Sequence, residues 1–506
     1  MGAIKLVKLN KFFGGMSDDV REDDATKFAI SKHFDIFSNP NRLTPYRQHE
    51  ADITFSDTSN DVTEFAIKKF LTTGSSLYGL GRVNDDLGGR LRVVEKTTLP
   101  STDWSLSGTG TQTDPGTAFH ESGIIYKDYI YALRTSPVAN KGRLFKYGAL
   151  STGARTMDLN FRSDPLTTDD VTLSRTGRSV LGKDDRAYFA YENTVCSTDG
   201  STVADADIQV PTDYNIKVLS TWKNFLVIGC THINNTDSKF YLWDYVSDDI
   251  TDVVDLGTGI LRSLGNVDDV LVAVTQQRQT SLIINPIAEV KLWGGGAVQT
   301  LPINIPLKDE SGNNYTVNEG EVIDSSKLYF AIDSGAGTDL TGIYVVGKNI
   351  QGRWAVTMDR RLNNTTGVNQ VSAIKKAGEF WWISHTPNDD TVERTDDSAT
   401  YTTAILESQK IGSPEKDHQS IALAINHVAL TSGQTVVVKY RANEESSWTT
   451  IMTSSKLNAL SKEATIEIDQ NKNLKNFREM QFKLESTGGA EITGFLFKYR
   501  ELDSTI

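Results

Sequence analysis

Residues 223–230 read KNFLVIGC, and residues 268–275 read DDVLVAVT. In each stretch two polar residues precede a run of apolar residues, and the same unit recurs along the chain. The further copies are SSLYGLGR at 75–82, KDYIYALR at 127–134, DRAYFAYE at 185–192, SKLYFAID at 326–333 and GEFWWISH at 378–385. Short apolar runs bounded by turn-forming residues are typical of β-strands. They predict an all-β protein from about residue 50 onward.

The spacing of these units predicts a repeat architecture. They recur about every 50 residues, which is the length of a kelch-type propeller blade. Several are followed by a second strand, such as GRLFKYG from Gly142 and SKFYLWDY from Ser238. We therefore predict a six- or seven-bladed β-propeller over residues 47–411, with a pair of large sandwiches as the alternative because every all-β chain offers frequent short apolar runs. The window 61–72 (DVTEFAIKKFLT) fits a helix and a strand equally.

The C-terminal part predicts a separate domain. GSPEKDHQ at 412–419 reads as a linker, and alternating apolar and polar residues then predict a β-sandwich over 412–506. Its expected strands are residues 420–430, 435–441, 448–452, 464–468, 479–484 and 491–500. Before the linker, residues 404–411 (AILESQKI) are expected to form a strand that closes the propeller ring against the segment near Leu43.

Composition restricts the classes of partner. The chain has 52 Lys and Arg against 65 Asp and Glu, a formal charge of −13 and a pI near 5.1. This acidic balance argues against a protein that binds nucleic acid or an anionic membrane over its whole surface. The two cysteines exclude a disulfide scaffold. Cys230, inside an apolar run, is expected to be buried, and Cys196, in a turn-rich stretch, to be more reactive. No segment predicts membrane insertion, and residues 1–16 lack the pattern of a secretory signal.

Sequence motifs for catalysis are absent, so we predict no catalytic, cofactor-binding or metal-binding residue and no cofactor. The seven histidines show no local chelating spacing. Neighbouring carboxylates favour solvated turns over glycosidase pairs; they are Asp18, Asp19, Glu22, Asp23, Asp24, Asp184, Asp185, Asp248, Asp249, Asp389 and Asp390. Repeat aromatics favour core packing over sugar stacking; they are Tyr129, Tyr131, Tyr188, Phe189, Tyr191, Phe380, Trp381 and Trp382.

The two ends of the chain contain its most distinctive sequence segments. The N-terminal pieces are FFGG at 12–15, SDD at 17–19 and FAISKHFDIFSNPNRLTPY at 28–46; the C-terminal pieces are AILESQKIG at 404–412, VVVKYR at 436–441, MQFKLESTGG at 480–489 and ITGFLFKYR at 492–500. Together they resemble virion structural proteins encoded among the tail genes of tailed bacteriophages. The resemblance covers the first 46 and about the last 100 residues, and it implies a propeller followed by a sandwich and a role in the particle.

The expected function is that of a non-enzymatic structural subunit of a phage tail, in a ring of the nozzle or tail-tip region around the DNA path. Its expected partners are other tail subunits and copies of itself, and its location is the virion, assembled in the host cytoplasm. Acidic walls would let DNA slide without adsorbing. Residues 1–46 are expected to form an N-terminal arm anchored at intervals, with an irregular cap over the propeller as the equal alternative. Deletion of residues 1–38 is expected to leave a folded protein that fails to join particles. The alternatives are a receptor-binding protein that recognises host surface carbohydrate and, ranked last, a propeller glycosidase.

Overall fold

The structure is a computed structural model. It describes residues 4–9, 15–16, 27–39, 41–52, 64–74, 76–85, 88–99, 104–106, 120–136, 141–152, 156–162, 179–278, 283, 285–309, 312–323, 326–334, 340–349, 352–361, 370–386, 392–400, 403–454, 463–467 and 476–502.

These residues form strands and turns, and no helix long and apolar enough to cross a membrane occurs among them. The strands are β1 (Ile4–Leu9), β2 (Gly15–Met16), β3 (Lys27–Lys32), β4 (Phe34–Asp35), β5 (Thr44–Pro45), β6 (Arg47–Ala51), β7 (Glu64–Thr73), β8 (Ser76–Asp85), β9 (Gly88–Lys96), β10 (Ser105–Leu106), β11 (His120–Tyr126), β12 (Tyr129–Ser136), β13 (Lys141–Gly148), β14 (Thr156–Arg162), β15 (Ser179–Leu181), β16 (Ala187–Tyr191), β17 (Thr194–Thr198), β18 (Val203–Gln209), β19 (Tyr214–Trp222), β20 (Phe225–His232), β21 (Asp237–Trp243), β22 (Asp252–Thr258), β23 (Ile260–Val267), β24 (Val270–Gln276), β25 (Ile287–Trp293), β26 (Gln299–Pro306), β27 (Thr316–Ile323), β28 (Lys327–Asp333), β29 (Gly342–Lys348), β30 (Trp354–Arg361), β31 (Gln370–Ala377), β32 (Phe380–Thr386), β33 (Val392–Thr400), β34 (Thr403–Ser408), β35 (Ile411–Gly412), β36 (His418–His427), β37 (Thr435–Ala442), β38 (Thr449–Ser454), β39 (Glu463–Glu467), β40 (Glu479–Thr487) and β41 (Ile492–Glu501).

Seven antiparallel four-stranded units follow one another along the chain. We number them sheet 1 to sheet 7: β7–β10, β11–β14, β15–β18, β19–β22, β23–β26, β27–β30, and β31–β33 with β6. The first strand of each sheet contacts the first strand of the next, and β31 of sheet 7 contacts β7 of sheet 1. The sheets therefore form a closed ring, and the prediction of an all-β, propeller-like chain is confirmed.

All seven repeat units found in the sequence form the second strand of their sheet, β8, β12, β16, β20, β24, β28 and β32. Where the structure describes them, their polar opening residues form tight turns from the first strand into the second. Lys127 and Asp128 have φ of 45° and 68°, and Asp268 and Asp269 have 49° and 62°. Two successive positive φ values are the type I′ geometry that matches the twist of a hairpin. A local turn therefore starts each repeat.

A separate apolar cluster fills each junction between neighbouring sheets, including the junction of sheet 7 with sheet 1. Trp381 and Trp382 illustrate how one strand serves two junctions, because adjacent strand residues point to opposite faces. The Trp382 ring packs in the cluster between sheets 7 and 1, and the Trp381 ring lies 4.5 Å from that of Tyr329 in sheet 6. Close approach also restricts side-chain size: a Cβ added at Gly229 would lie 2.6 Å from Leu261 Cδ2 in the next sheet.

Ring closure differs from the expectation for residues 404–411. Strand β6 pairs with β33 as the outer strand of sheet 7, and Asp52 N donates to Val392 O over 2.6 Å. Residues 392–400, a polar and charged stretch of the sequence, are β33 itself. Residues 403–408 form β34, which pairs with β40 and β3 outside the ring. The chain just before sheet 1 is nearest to the seam, and it supplies the closing strand.

Two further sheets lie beyond the ring. One has the order β1-β41-β36-β39; the other joins β3, β34, β40, β37 and β38. They face each other across a shared apolar cluster, in which Phe482 contacts Phe495 and Phe497 at 4.9 and 4.6 Å between ring centroids. All six strands expected in the C-terminal region are present, as β36 to β41. The boundary shifts from residue 412 to residue 403, because β34 belongs to these sheets.

The N-terminal segment is not an arm. β1 pairs with β41, β3 lies between β30 of sheet 6 and β34, and β6 completes sheet 7. The apolar string Phe28, Phe34, Ile36 and Phe37 is buried in the cluster that joins the C-terminal sheets to sheets 5 and 6. All four side chains lie in this one core, so the segment joins the ring to the C-terminal sheets.

Two other expectations are settled by strand placement. The ambiguous window 61–72 contains the start of β7, so the strand alternative holds from Glu64. Cys230 lies buried in β20 as expected. Cys196 is also buried, in β17, where its thiol contacts Phe189 O over 3.5 Å, so the expectation of a more reactive Cys196 is wrong. Glu192 and Asn193 form the turn there, and strand β17 begins at Thr194, two residues before the cysteine.

Candidate functional site

The aromatic side chains of the repeats, which the sequence offered as either core or sugar-stacking residues, lie mostly in the core. Tyr131, Tyr188, Phe189, Tyr191, Trp381 and Trp382 are buried, and Tyr129 and Phe380 are partly buried at the same clusters. Their rings pack between sheets, as with Tyr188 and Trp243, whose centroids are 5.9 Å apart. They offer no open platform to a sugar, and the core interpretation is confirmed.

The carboxylate pairs within the described residues act in turns. Asp184 Oδ2 accepts a hydrogen bond from the Tyr188 hydroxyl over 2.7 Å, and Asp185 has a φ of 59° and lies 3.4 Å from Lys127 Nζ. Asp248 and Asp249 are exposed in the turn before β22. The pairs at 18–24 and 389–390 lie outside the described residues. Where side chains are described, no group of three or more His, Cys, Asp or Glu could hold a metal ion.

A row of polar residues links neighbouring sheets at one end of the ring. Thr231 Oγ1, Gln276 Oε1 and Asp333 Oδ2 stand at or next to the end of the second strand in sheets 4, 5 and 6. Each accepts a hydrogen bond from a backbone N–H in the first strand of the next sheet, at Leu261, Val317 and Val371, over 2.9, 3.1 and 2.7 Å. Sequence reasoning missed these links, although a polar residue closing each apolar run is a visible signal.

The most polar part of sheet 4 is a network around Tyr214, whose hydroxyl donates to Asp237 Oδ2 over 2.5 Å while Lys239 Nζ lies 4.7 Å from its ring centroid. Burial, then the hydrogen bond to Asp237, raises the pKa of Tyr214. Burial acts in the same direction on Asp237, but hydrogen bonds from Tyr214 and Thr236 outweigh it and lower the pKa of that carboxyl. The phenol stays protonated and the carboxylate ionised near neutral pH, which suits a fixed structural contact better than proton transfer.

The seam between sheets 7 and 1 carries a buried ion pair. Lys96 Nζ lies 2.7 Å from Asp52 Oδ1, with 2% and 11% of the two side chains exposed. Trp382 Nε1 donates to Asp52 Oδ2 over 3.0 Å. Asp52 directly follows the closing strand β6, so this pair joins the N-terminal strand to sheet 1.

The C-terminal sheets contain a polar cleft of about 460 Å³. Lys410 Nζ lies 3.2 Å from Glu479 Oε2 on its wall, and Arg441 Nε donates to Gln481 Oε1 over 2.9 Å. The Arg441 guanidinium also lies 4.6 Å from the Trp448 ring centroid. Planar polar groups held in fixed positions can hydrogen-bond a polar ligand such as a sugar.

The most exposed apolar side chains of the C-terminal sheets lie on an edge strand. β1 is the last strand of its sheet, and Ile4 and Leu6 are 61% and 57% exposed. Val7 and Leu9 face the core on the other side. An edge strand presents backbone groups that another strand can pair with. β1 is therefore the clearest docking edge among the described residues.

No protein-family model matches the chain, and comparison with curated proteins gives no match. Solved structures are similar at low identity. Hydrazine synthase from Kuenenia stuttgartiensis is 11% identical, with 65% of this chain and 95% of that chain covered and a TM-score of 0.43. The WD40 domain of Neurospora crassa Pan2 is 12% identical over 67% and 91%, with a TM-score of 0.38. An exo-β-1,3-galactanase from Phanerochaete chrysosporium is 11% identical over 89% and 100%, with a TM-score of 0.28. Likeness at this level assigns no function.

Proposed function

We propose that this chain is a non-enzymatic structural subunit of a tailed-phage virion, a ring component of the tail in the nozzle or tail-tip region. In this proposal the seven sheets are the blades of a β-propeller and the two C-terminal sheets form a β-sandwich. The resemblance of both chain ends to tail-gene virion proteins supports the proposal. Its partners are copies of itself and neighbouring tail subunits, and it is assembled in the host cytoplasm.

The observation that carries the proposal is the continuous connection between the two parts of the molecule. β3 pairs with β30 of sheet 6 on one side, at Lys32 and Met358, and with β34 on the other. The same segment contributes Phe28 and Phe34 to an apolar cluster that spans both parts. A joint made of backbone hydrogen bonds and a shared core transmits force with little relative motion. Such a body suits a subunit that must hold its place in a particle.

The charge distribution bears on the DNA path. Among the side chains described on the first strands of the seven sheets, the charged ones are Lys69, Lys217, Arg262, Lys375 and Lys376. These five side chains are basic, so the described part of the first strands does not supply the acidic, DNA-repelling wall expected along the DNA path. With a net charge of −13, the protein should not retard duplex DNA in a gel at physiological salt.

Mass spectrometry of purified virions tests the proposal directly. The expected result is the intact chain in mature particles, in a fixed ratio to the other tail proteins. Phage made without this gene product but complemented from a plasmid should regain both the protein and infectivity. Absence of the chain from mature, infectious virions would overturn the proposal.

The polar cleft favours a second candidate function, recognition of host surface carbohydrate. A glycan array with the purified protein should then show binding that Arg441→Ala and Gln481→Ala each weaken at least about tenfold, as loss of buried polar contacts does. Lys416→Ala, an exposed residue on a neighbouring turn, is the matched control and should leave binding unchanged. An array without signal rejects this candidate and leaves the structural role untouched.

A further inference from the structure

Strand β1 combines exposure with a regular charge pattern. Its sequence IKLVKL places Lys5 and Lys8 three residues apart, and both side chains reach solvent; Lys5 also pairs with Glu501 of its own chain at 2.8 Å. Ile4 and Leu6 are exposed on the face opposite to Val7 and Leu9. The edge is thus basic and apolar together, which is the chemistry of a strand that pairs with an acidic, apolar edge.

Strand β22, the outer strand of sheet 4, has the complementary pattern. Its sequence DVVDLGT places Asp252 and Asp255 three residues apart, both exposed, and Val253 between them is 49% exposed. Asp255 lies opposite Lys239 in β21, and the two carboxylates accept hydrogen bonds from Val253 N and Gly257 N. β22 ends its sheet, and no strand among the described residues pairs with its other side.

An antiparallel pairing of β1 with β22 satisfies both patterns in one register. With Lys8 opposite Asp252, Lys5 falls opposite Asp255, because both charge pairs have the same spacing. Residues directly opposite in an antiparallel ladder point to the same face.

The same register aligns the apolar side chains. Leu6 falls opposite Val254 and Ile4 opposite Leu256, and both partners belong to the buried face of sheet 4. The exposed side chains of β1 therefore extend an existing apolar face, while the lysines meet the carboxylates.

Other pairings of β1 fit less well. Two β1 strands in antiparallel register would set Lys5 against Lys8, and like charges directly opposite are destabilising. β18 of sheet 3 has its Asp205 and Asp207 two residues apart, and β26 of sheet 5 carries no carboxylate. The outer strand β30 of sheet 6 already pairs with β3.

We propose that β1 of one copy of this chain adds to the edge of sheet 4 of a second copy, pairing antiparallel with β22. The surfaces joined are different, so the contact is head-to-tail and repeats from copy to copy; it closes into a ring when the rotation permits. The inference rests on the proposed role as a ring subunit and specifies the contact that would build the ring.

Charge reversal in purified protein tests the contact. Variant A carries Lys5→Glu and Lys8→Glu, and variant B carries Asp252→Lys and Asp255→Lys. Sedimentation velocity should show concentration-dependent association of the wild type that weakens with salt, and each variant alone should raise the dissociation constant at least about tenfold. An equimolar mixture of A and B should associate again, because each then meets a partner of opposite charge.

The control is Asp248→Lys with Asp249→Lys, which makes the same charge change in the turn next to β22 and should leave association as in the wild type. Carbodiimide cross-linking of mixed ¹⁴N- and ¹⁵N-labelled protein should yield an intermolecular link between Lys8 and Asp252. A monomeric wild type, loss of association in the control, or a mixture that fails to recover would each overturn the contact.

Failure of the β1–β22 contact can be distinguished from failure of the proposed function. Virion mass spectrometry needs no self-association in solution, so a chain found in virions but monomeric in solution rejects the β1–β22 contact alone. Association through this contact by a chain absent from virions rejects the virion role alone.

Discussion

Buried polar residues mark where the sheets are held to one another. Asp333 is 1% exposed, yet its carboxylate accepts hydrogen bonds from Asn318 Nδ2 and from Val371 N of the next sheet. Arg262 lies near it, and burial lowers the pKa of that guanidinium while Asp333 acts against the shift. Burying a polar group in a packed β ring costs least where it finds a partner across a junction, as Asp333 Oδ2 does. These residues have a structural task that their side-chain chemistry alone does not show.

The ion pair at the seam gives a prediction at this scale. Asp52→Ala should lower the free energy of unfolding by about 3–5 kcal/mol, because it leaves the Lys96 ammonium buried without its partner. Urea denaturation measures the change. Asp417→Ala, which removes the exposed partner of Arg478, is the control and should cost less than about 1 kcal/mol. Combining Asp52→Ala with Lys96→Met should recover part of the lost stability. If Asp52→Ala and the control variant lowered the free energy of unfolding equally, this account would be contradicted.

His418 gives a pH prediction. It is buried and its ring stacks on that of Phe477 at 5.2 Å. Burial lowers the pKa of His418, although backbone hydrogen bonding at Phe477 and the Glu501 carboxylate oppose the shift. Below its ordinary pKa of about 6.5 the unfolded chain takes up a proton here and the folded chain does not. The stability contribution is therefore complete above about pH 6.5 and is lost as the pH falls toward the lower folded value.

Urea denaturation between pH 7.5 and pH 5 measures this loss. His418→Gln should flatten the decline, because the replacement does not titrate in that range. An unchanged pH profile in the variant would show that other groups cause the decline.

At the scale of elements, the N-terminal segment differs most from its expected structure. Within about 50 residues it supplies an edge strand, a strand between two sheets and the closing strand of the ring. β6 covers the edge of β33, and closing the ring buries the facing sides of sheets 7 and 1 against each other. The extended apolar string that resembled an anchored arm is in fact continuous core.

Two truncations separate these roles. Deleting residues 1–9 removes only β1 and should leave a folded protein. Deleting residues 1–38 also removes Phe28, Phe34, Ile36 and Phe37, whose burial is worth about 6–12 kcal/mol in total, comparable to the whole stability of a typical domain. The longer deletion should therefore yield insoluble or unfolded protein, as near-ultraviolet circular dichroism would show. A soluble, cooperatively unfolding 1–38 deletion would restore the arm interpretation.

At the scale of the whole molecule, the ring and the C-terminal sheets form one cooperative body. They share the ladder through β3 and one apolar cluster, so neither can unfold without exposing the core of the other. Differential scanning calorimetry should show a single transition. Two resolved transitions would mean that the joint is weak and that the two parts unfold independently.

Local pattern was sufficient for the elements of this chain. Alternation and turn chemistry act within a few residues, so the second strand of every sheet and all six C-terminal strands were visible in the sequence. The repeat length of about 50 residues likewise predicted the propeller-like ring. The aromatic repeats were assigned to the core because a large ring on a two-sided strand gains most by packing between sheets.

Long-range pairing was decided only by the tertiary structure. Which strand closes the ring depends on which chain segment lies beside the seam, and nothing local distinguishes β6 from β34 as its partner. The burial of Cys196, the Asp52–Lys96 pair and the links at Thr231, Gln276 and Asp333 arise from residues far apart in sequence. Hydrogen bonds and ion pairs across junctions depend on the relative placement of whole sheets, and a sequence pattern with a period of two carries no information about that placement.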